Sequence, residues 1–175
     1  VAGANDEEAS AIAKNLVGAN LAGHDSHGVV RVPRYLSWVN ARTLTFGRNI
    51  DVIIDTDSFA LVDGNNGFGQ TIGQQATELG MSKAEKQGFS IIGLRRSGHL
   101  GRIGYWAEIA CARGFVSLHF VNVAQSMLVA PFGAAERRIS TAPVAIGIFN
   151  PEGDDFILDF ATSQVAEGKI LVAAR

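Results

Sequence analysis

Residues 70–106 read QTIGQQATELGMSKAEKQGFSIIGLRRSGHLGRIGYW, and their order decides the fold class. Positions 70–87 read as a helix that Gly88 closes, because a glycine just past the last turn accepts the left-handed conformation that stops a helix. The apolar run 89–94 suits a buried strand. A loop with Gly98, Gly101 and Gly104 follows, and then a second helix over about 105–113. Strand and helix patterns that alternate in this way indicate a mixed α/β fold. Outward from this unit, 51–54 and 60–62 read as short strands, with 63–69 as the loop into the first helix. On the other side, 115–123 is a strand, and 144–149 and 156–160 form a hairpin across Asn150-Pro151-Glu152-Gly153-Asp154.

The N-terminal part is helical. Asp6–Leu21 places Ala9, Ile12, Ala13, Leu16 and Val17 on one face. Asn5 or Asp6 caps its start, and Gly23 ends it. A second short helix starts near Pro33, a residue tolerated at a first helical position. The expected organisation is 1–45 as a helical segment carrying substrate and catalytic residues, and 46–175 as part of an α/β cofactor-binding domain. A further helix starts at 164 and has no terminating signal by 175, so the chain is expected to be incomplete at its C-terminus.

Composition narrows the function. The chain has 175 residues, 47% of them apolar and 18% charged, with net charge −2. A sizeable core is therefore available. No basic run or face suggests nucleic-acid binding, and no apolar stretch reaches membrane-spanning length. One cysteine, Cys111, cannot form an internal disulfide, so a reducing cytoplasm is the simplest home. It reads as a small core residue.

Polar chemistry concentrates in three places. The first is His24-Asp25-Ser26-His27-Gly28, with Arg31, Arg34 and Tyr35 close behind. Histidine suits proton transfer near neutrality, and arginine forks onto carboxylates. The plain alternative is a polar turn between helices, with Asp25 or Ser26 as a cap. The second is Ser97-Gly98-His99-Leu100-Gly101-Arg102-Ile103-Gly104, where glycines allow close backbone approach and a helix start favours anions. Its spacing is G-x-x-G-x-x-G, and Gly64-x-x-Gly67-x-Gly69 also departs from the dinucleotide fingerprint G-x-G-x-x-G, so an ordinary Rossmann turn is not supported. The third is Leu158-Asp159-Phe160-Ala161-Thr162-Ser163 at a strand end, either a helix cap or part of a cofactor site. His119, within an alternating strand, reads as structural, and Asn122 and Gln125 just beyond could bond a ligand or face water. His24, Asp25, His27 and His99 are residue types that zinc or iron accepts. Yet His24 and His27 flank a short turn and no further ligand string follows, so no metal is expected.

Taken together, these segments resemble the malate/L-lactate dehydrogenase-like family. The resemblance rests on Gly23-His24-Asp25-Ser26-His27-Gly28-Val29-Val30-Arg31-Val32-Pro33-Arg34-Tyr35-Leu36, on Val62-Asp63-Gly64-Asn65-Asn66-Gly67-Phe68-Gly69-Gln70 and on the 97–104 loop. It extends to Val129-Ala130-Pro131-Phe132-Gly133 and to Asp159-Phe160-Ala161-Thr162-Ser163 through Ala166-Glu167-Gly168-Lys169. The resemblance implies a non-Rossmann fold for a nicotinamide cofactor, NAD or NADP. It also implies a homodimer and hydride transfer between that cofactor and a 2-hydroxy or 2-keto acid such as malate or lactate. It implies His27 as proton donor with Ser26 beside it, His99 as a second catalytic histidine, and Arg31 and Tyr35 as holders of the acid group. Gln125, Asp159, Phe160, Ala161, Thr162 and Ser163 fall where the family touches its cofactor. The chain departs from the family at Thr141-Ala142-Pro143, where Thr-Asn-Pro is usual. The family's chains run on beyond Arg175, so a chain ending there is expected to be inactive alone. Two alternatives stand beside this reading: a non-catalytic or truncated cofactor-binding remnant, and a metal-dependent hydrolase or lyase.

Overall fold

The computed structural model describes residues 2–123 and 126–164. Contacts divide the chain into two compact units, Val1–Tyr105 and Trp106–Arg175. Helix α1 runs Asp6–Leu21. Asn5 Oδ1 accepts from Glu8 N at 2.8 Å, and Asp6, Glu7 and Glu8 occupy the first turn, where the helix dipole favours negative charge. Gly23, at φ +71°, turns the chain away just past the helix.

The buried stripe of α1 matches only part of the one that apolar spacing indicated: Leu16 is buried and Ile12 packs against the core as expected. Ala9, Ala13 and Val17 are exposed, while Glu8, Asn15, Leu16 and Ala19 are buried. The helix is rotated because its polar residues have partners inside. Both Glu8 carboxylate oxygens accept from Gly47 N at 3.2 Å, and Asn15 Oδ1 meets Gln70 Nε2 at 3.4 Å. Helix α2, Val32–Asn40, has its proline in the first turn as expected. Leu16, Tyr35, Leu44 and Phe68 form the core here, with Ile12, Trp38, Val39 and Phe46 packed around it. The Phe46 and Phe68 rings stack with centroids 4.6 Å apart.

Strands β1 (Asp51–Asp55), β2 (Phe59–Gly67) and β3 (Ile91–Ser97) form one sheet in the order β1-β2-β3. β1 pairs antiparallel with β2, and β3 pairs parallel with it. The parallel pair needs a crossover, and helix α3, Gly69–Gln87, supplies it, closing at Gly88 with φ +83°. Ala60, Val62 and Ala76 are the buried centre between sheet and helix. Two expectations are corrected. The run 89–94 is not a buried strand: β3 starts at Ile91, and Phe89 and Ile91 are each 60% exposed. Among the described residues β3 pairs with β2 alone and forms an edge of this sheet. The expected loop 63–69 is mostly strand, because β2 continues to Gly67 across an irregularity between Asp63 and Gly67, with Asn65 and Asn66 at φ +52° and +55°. Asparagine tolerates that left-handed region.

The second unit holds β4 (Ser117–Phe120), β5 (Pro143–Ile148) and β6 (Phe156–Ala161), all antiparallel in the order β4-β5-β6. The β5–β6 hairpin turns where the sequence places it. Helix α4, Gly104–Cys111, lies against β5. A Cβ on Gly147 would sit 2.8 Å from Cys111 Sγ and 2.9 Å from the Ala107 carbonyl. Cys111 is fully buried, as expected of a core residue. Among the described residues no helix is long and apolar enough to cross a membrane. The helix expected from 164 lies outside the described residues after Gln164.

Ala142 stands at φ +38°, a left-handed backbone that disfavours alanine and suits asparagine. This is where the resembling family usually carries Asn. Ala142→Asn is therefore expected to stabilise the protein, by roughly 0.5–1 kcal/mol. An unchanged or lowered midpoint in thermal unfolding would show that the backbone there is not strained.

Candidate active site

The two histidine clusters, far apart in sequence, meet. The His27 and His99 rings stack with centroids 5.2 Å apart and planes 23° off parallel. His24 approaches His27 edge-on at 4.6 Å. On the first side, α1 gives way to two single 3₁₀ turns, Asp25–His27 and Val29–Arg31. The Asn20 side chain ties them together. Its Nδ2 donates to Asp25 Oδ1 at 2.5 Å and its Oδ1 accepts from Val29 N at 3.0 Å. Gly28 is required beneath it, since a Cβ there would lie 2.2 Å from Asn20 Oδ1. Ser26 Oγ is 3.0 Å from His27 Nδ1, and Arg31 Nε donates to the Ser26 carbonyl at 2.6 Å. The polar turn thus orients an imidazole and a guanidinium, where capping alone was the plain alternative.

On the second side, β3 leads through Gly98 to His99. Asp63, only 1% exposed, receives Arg95 Nε and Arg96 Nε at 2.8 Å each, and the Arg96 hydrogen bond holds its carboxyl at about 2, well below the usual range. This ion-pair group fixes the strand exit just before the loop. The loop then packs backbone against backbone. A Cβ on Gly98 would sit 2.6 Å from the Gly67 carbonyl, and one on Gly69 would sit 2.2 Å from the His99 carbonyl. Gly101, at φ +74°, brings its N–H to His99 Nδ1 at 3.2 Å. Both glycine motifs therefore serve to seat His99.

Behind His99 stands Tyr35, 3% exposed, with its hydroxyl 2.9 Å from His99 Nδ1. Gln70 Nε2 donates to that hydroxyl at 3.0 Å. Tyr35 was expected beside Arg31 as a holder of an acid group. In the structure its hydroxyl is taken up by His99 and Gln70. Gln70 itself, within a motif already singled out, carried no sequence-level expectation: a glutamine at the start of a helix is ordinary, and only its partners 35 and 55 residues away mark it.

Both imidazoles are held neutral. Burial is the largest cause for His27, followed by His99, Arg31 and His24, and its pKa falls to about 3. Burial again leads for His99, with Arg31 and Arg34 adding to it, and its pKa also falls to about 3. The unfolded chain would bind protons at these sites from about pH 6.5 downward, while the folded chain refuses them until about pH 3. Stability rises with pH wherever the unfolded state binds more protons, so the fold is expected to weaken as pH falls through that window. Urea unfolding at pH 7 and pH 5 measures it. His27→Asn should lose less stability over that step than the parent, and an equal loss would mean that His27 is not held neutral.

The remaining candidates make local contacts of their own. Arg34 lies over the Trp38 ring at 5.4 Å. His119 is half-buried with Nε2 3.1 Å from Ser117 Oγ, and burial lowers its pKa, in keeping with a structural role. Asn122 Oδ1 accepts from the buried Ser140 hydroxyl at 3.0 Å. Asp159, Phe160 and Ala161 end β6. Thr162 Oγ1 donates to the carbonyls of Thr141 and Ala142 at 3.2 and 3.0 Å, so that hydroxyl is engaged within the fold. Gln125 lies outside the described residues. Among the described residues no group of three or more His, Cys, Asp or Glu side chains could hold a metal ion.

Known proteins match this chain over nearly its whole length. Residues 1–175 match the model of a family described as malate/L-lactate dehydrogenase. Hydroxycarboxylate dehydrogenase B of Escherichia coli K12 is 41% identical over 174 residues, covering 98% of this chain and 47% of that protein. The solved malate dehydrogenase of Pyrococcus horikoshii superposes with a TM-score of 0.91 at 37% identity, covering 97% of this chain and 48% of that one. The sulfolactate dehydrogenase of Methanocaldococcus jannaschii gives 0.92 at 33% identity, covering 99% and 50%. The chain spans about half the length of the curated relatives it matches.

Proposed function

The chain belongs to the malate/L-lactate dehydrogenase family, and on that premise we propose that it is part of an oxidoreductase acting between a nicotinamide cofactor, NAD or NADP, and a 2-hydroxy or 2-keto acid. The relatives that support this are dehydrogenases of hydroxycarboxylates, malate and sulfolactate. The observation that carries it is the pair of neutral imidazoles stacked at 5.2 Å with Arg31 close enough to lower the pKa of both.

Reduction of a 2-keto acid asks three things of a protein. The carboxylate must be held, and the planar fork of Arg31 suits that task. The carbonyl oxygen must be polarised and then protonated, and His27 and His99 offer the ring nitrogens for it. A carboxylate beside Arg31 would also cancel part of the repulsion on His27, so the acid's arrival raises the proton affinity of that imidazole. Ser26, against His27 Nδ1, sets how the ring is turned. Water must be excluded, and the Tyr35, Trp38 and Phe68 rings back the site.

A bound reduced nicotinamide would supply the hydride to C2. The residues expected to hold it fit such a group in part. Phe160 remains 45% exposed beside the small Ala161, a flat apolar face for a ring. Asp159, Thr162 and Ser163 would surround it, with Gln125 adding to the site. A fold other than Rossmann is supported by the single parallel pair, β2–β3, among the described strands. On this reading 1–45 carries most of the substrate contacts and 46–175 contributes His99 and the cofactor surface. A homodimer in a reducing cytoplasm completes it.

The test is oxidation of NADH and of NADPH by the purified full-length protein with a panel of 2-keto acids. Turnover with at least one acid is expected. A folded protein that binds neither cofactor and reduces no acid on the panel would favour a non-catalytic remnant.

A further inference from the structure

We infer that Gln70 and Tyr35 are positioning residues that hold His99 in the tautomer with its proton on Nε2, so that it offers a neutral N–H donor to a bound ligand. The direction of the hydrogen bonds follows from one group that cannot turn round. The Gly101 backbone N–H points at His99 Nδ1 from 3.2 Å, so Nδ1 accepts. A second group at the same nitrogen, the Tyr35 hydroxyl at 2.9 Å, must then donate its only proton to it. With that proton spent, the Tyr35 oxygen accepts, and Gln70 meets it with its amide Nε2 at 3.0 Å. Two donors converge on Nδ1, and a neutral imidazole carries one proton, so that proton is on Nε2. Nε2 meets no partner among the described residues.

The whole row is built to be rigid. Gln70 and Tyr35 are 2% and 3% exposed. Gln70 extends to Asn15, which lies under Gly101, where a Cβ would approach Asn15 Oδ1 to 2.1 Å. Among the described residues Gln70 Oε1 and Asn15 Nδ2 have no hydrogen-bond partner. Buried polar atoms left unpaired destabilise a fold, and the donor chain toward the imidazole is what this arrangement secures. An imidazolium at His99 would put a second proton on Nδ1, against the Gly101 N–H and the Tyr35 hydroxyl. The charged and titratable groups around the ring, His27, Arg31, Arg34 and Tyr35, include no acid that would offset it.

The tautomer itself does not depend on the dehydrogenase reading. Its use does: resting on that reading, the ligand group that takes the Nε2–H is the C2 oxygen of the 2-keto or 2-hydroxy acid, and the donor polarises the carbonyl without carrying a charge.

The experiment is ¹⁵N NMR of histidine-labelled full-length protein, with kinetics of the same samples. His99 should show a pyridine-type Nδ1 and a pyrrole-type Nε2, unchanged between about pH 5 and pH 8, as its depressed basicity requires. Tyr35→Phe removes one donor, and Gln70→Met removes its support. Both should shift the Nδ1 resonance and lower kcat by about tenfold or more, with the cofactor Kd unchanged. A protonated Nδ1 or an imidazolium in the parent protein overturns the inference. So does an unmoved Nδ1 resonance in folded Tyr35→Phe and Gln70→Met. If the tautomer stands as described and the variants shift it, while no 2-keto acid is reduced even by the parent, the positioning role holds and the dehydrogenase reading fails.

Discussion

His27→Ala is expected to lower kcat for 2-keto acid reduction by about 10²–10⁴-fold, the usual contribution of a positioned acid/base group. Cofactor affinity should be essentially unchanged. Three features of the site support a specific rather than a general loss. His27 sits between His24 and His99, with Ser26 Oγ against its Nδ1. Its pKa of about 3 is set first by burial and then by its neighbours, the Arg31 guanidinium among them, so an anion bound at Arg31 changes its proton affinity more than that of an exposed histidine. The variant also removes an imidazole that resists protonation, and so should be less acid-sensitive than the parent. Reduction, which consumes a proton, should run faster on the acid side of neutrality, and oxidation on the alkaline side. The alanine variant should lose that opposition. Steady-state kinetics in both directions between pH 6 and pH 9 decide the matter, and turnover within twofold of the parent would remove His27 from the chemistry.

Gly69→Ala should damage both stability and activity. The new Cβ would lie 2.2 Å from the His99 carbonyl oxygen, 2.4 Å from its carbon and 2.7 Å from the Gly98 carbonyl. All three are backbone atoms, so no side chain can swing aside. Either the start of α3 or the 97–104 loop must move. A stability loss of about 1–3 kcal/mol is expected, the scale of overpacking in a close-packed site. Because the displaced backbone carries His99, kcat should fall as well, by on the order of 10² for a shift near 1 Å. Gly18 provides the contrast. It lies inside α1 with nothing within 4 Å of a built Cβ, so Gly18→Ala should stabilise the helix by about 0.5–1 kcal/mol. Thermal midpoints and kcat for the two variants measure both effects. A Gly69→Ala protein with the parent's midpoint and turnover would mean that this close approach does not exist in solution.

The helices were legible where punctuation is local. Asn5 and Gly23 bracket α1, and Gly88 closes α3, because caps and left-handed residues act within a few positions. What could not be read depends on distant partners. Apolar spacing pointed to Ala9, Ala13 and Val17, yet the face actually buried follows Glu8, whose partner Gly47 lies 39 residues on, and Asn15, which meets Gln70 55 residues on. The exposure of β3 has the same origin: an apolar run looks alike at the centre and at the edge of a sheet until its neighbours are known.

The site divides in the same way. Each histidine cluster alone was open to a capping or solvated reading. Only their meeting across the fold makes a site. The glycine motifs were legible as places of close approach, but that the His99 backbone lies against Gly69 was not. Tyr35 illustrates the limit best. Its motif placed it beside Arg31, which does act on it, but that its hydroxyl also bonds a residue 64 positions away could not be read.

Transfer of label from cofactor to product tests the central claim most directly. The full-length protein would be given a 2-keto acid and reduced cofactor deuterated at the nicotinamide C4 position that is transferred, each C4 face being labelled in turn. Deuterium at C2 of the hydroxy acid from one face, and its absence there from the other, is the predicted result. Hydroxy acid formed without label at C2 from either face, or cofactor consumed with no hydroxy acid formed, would contradict the account.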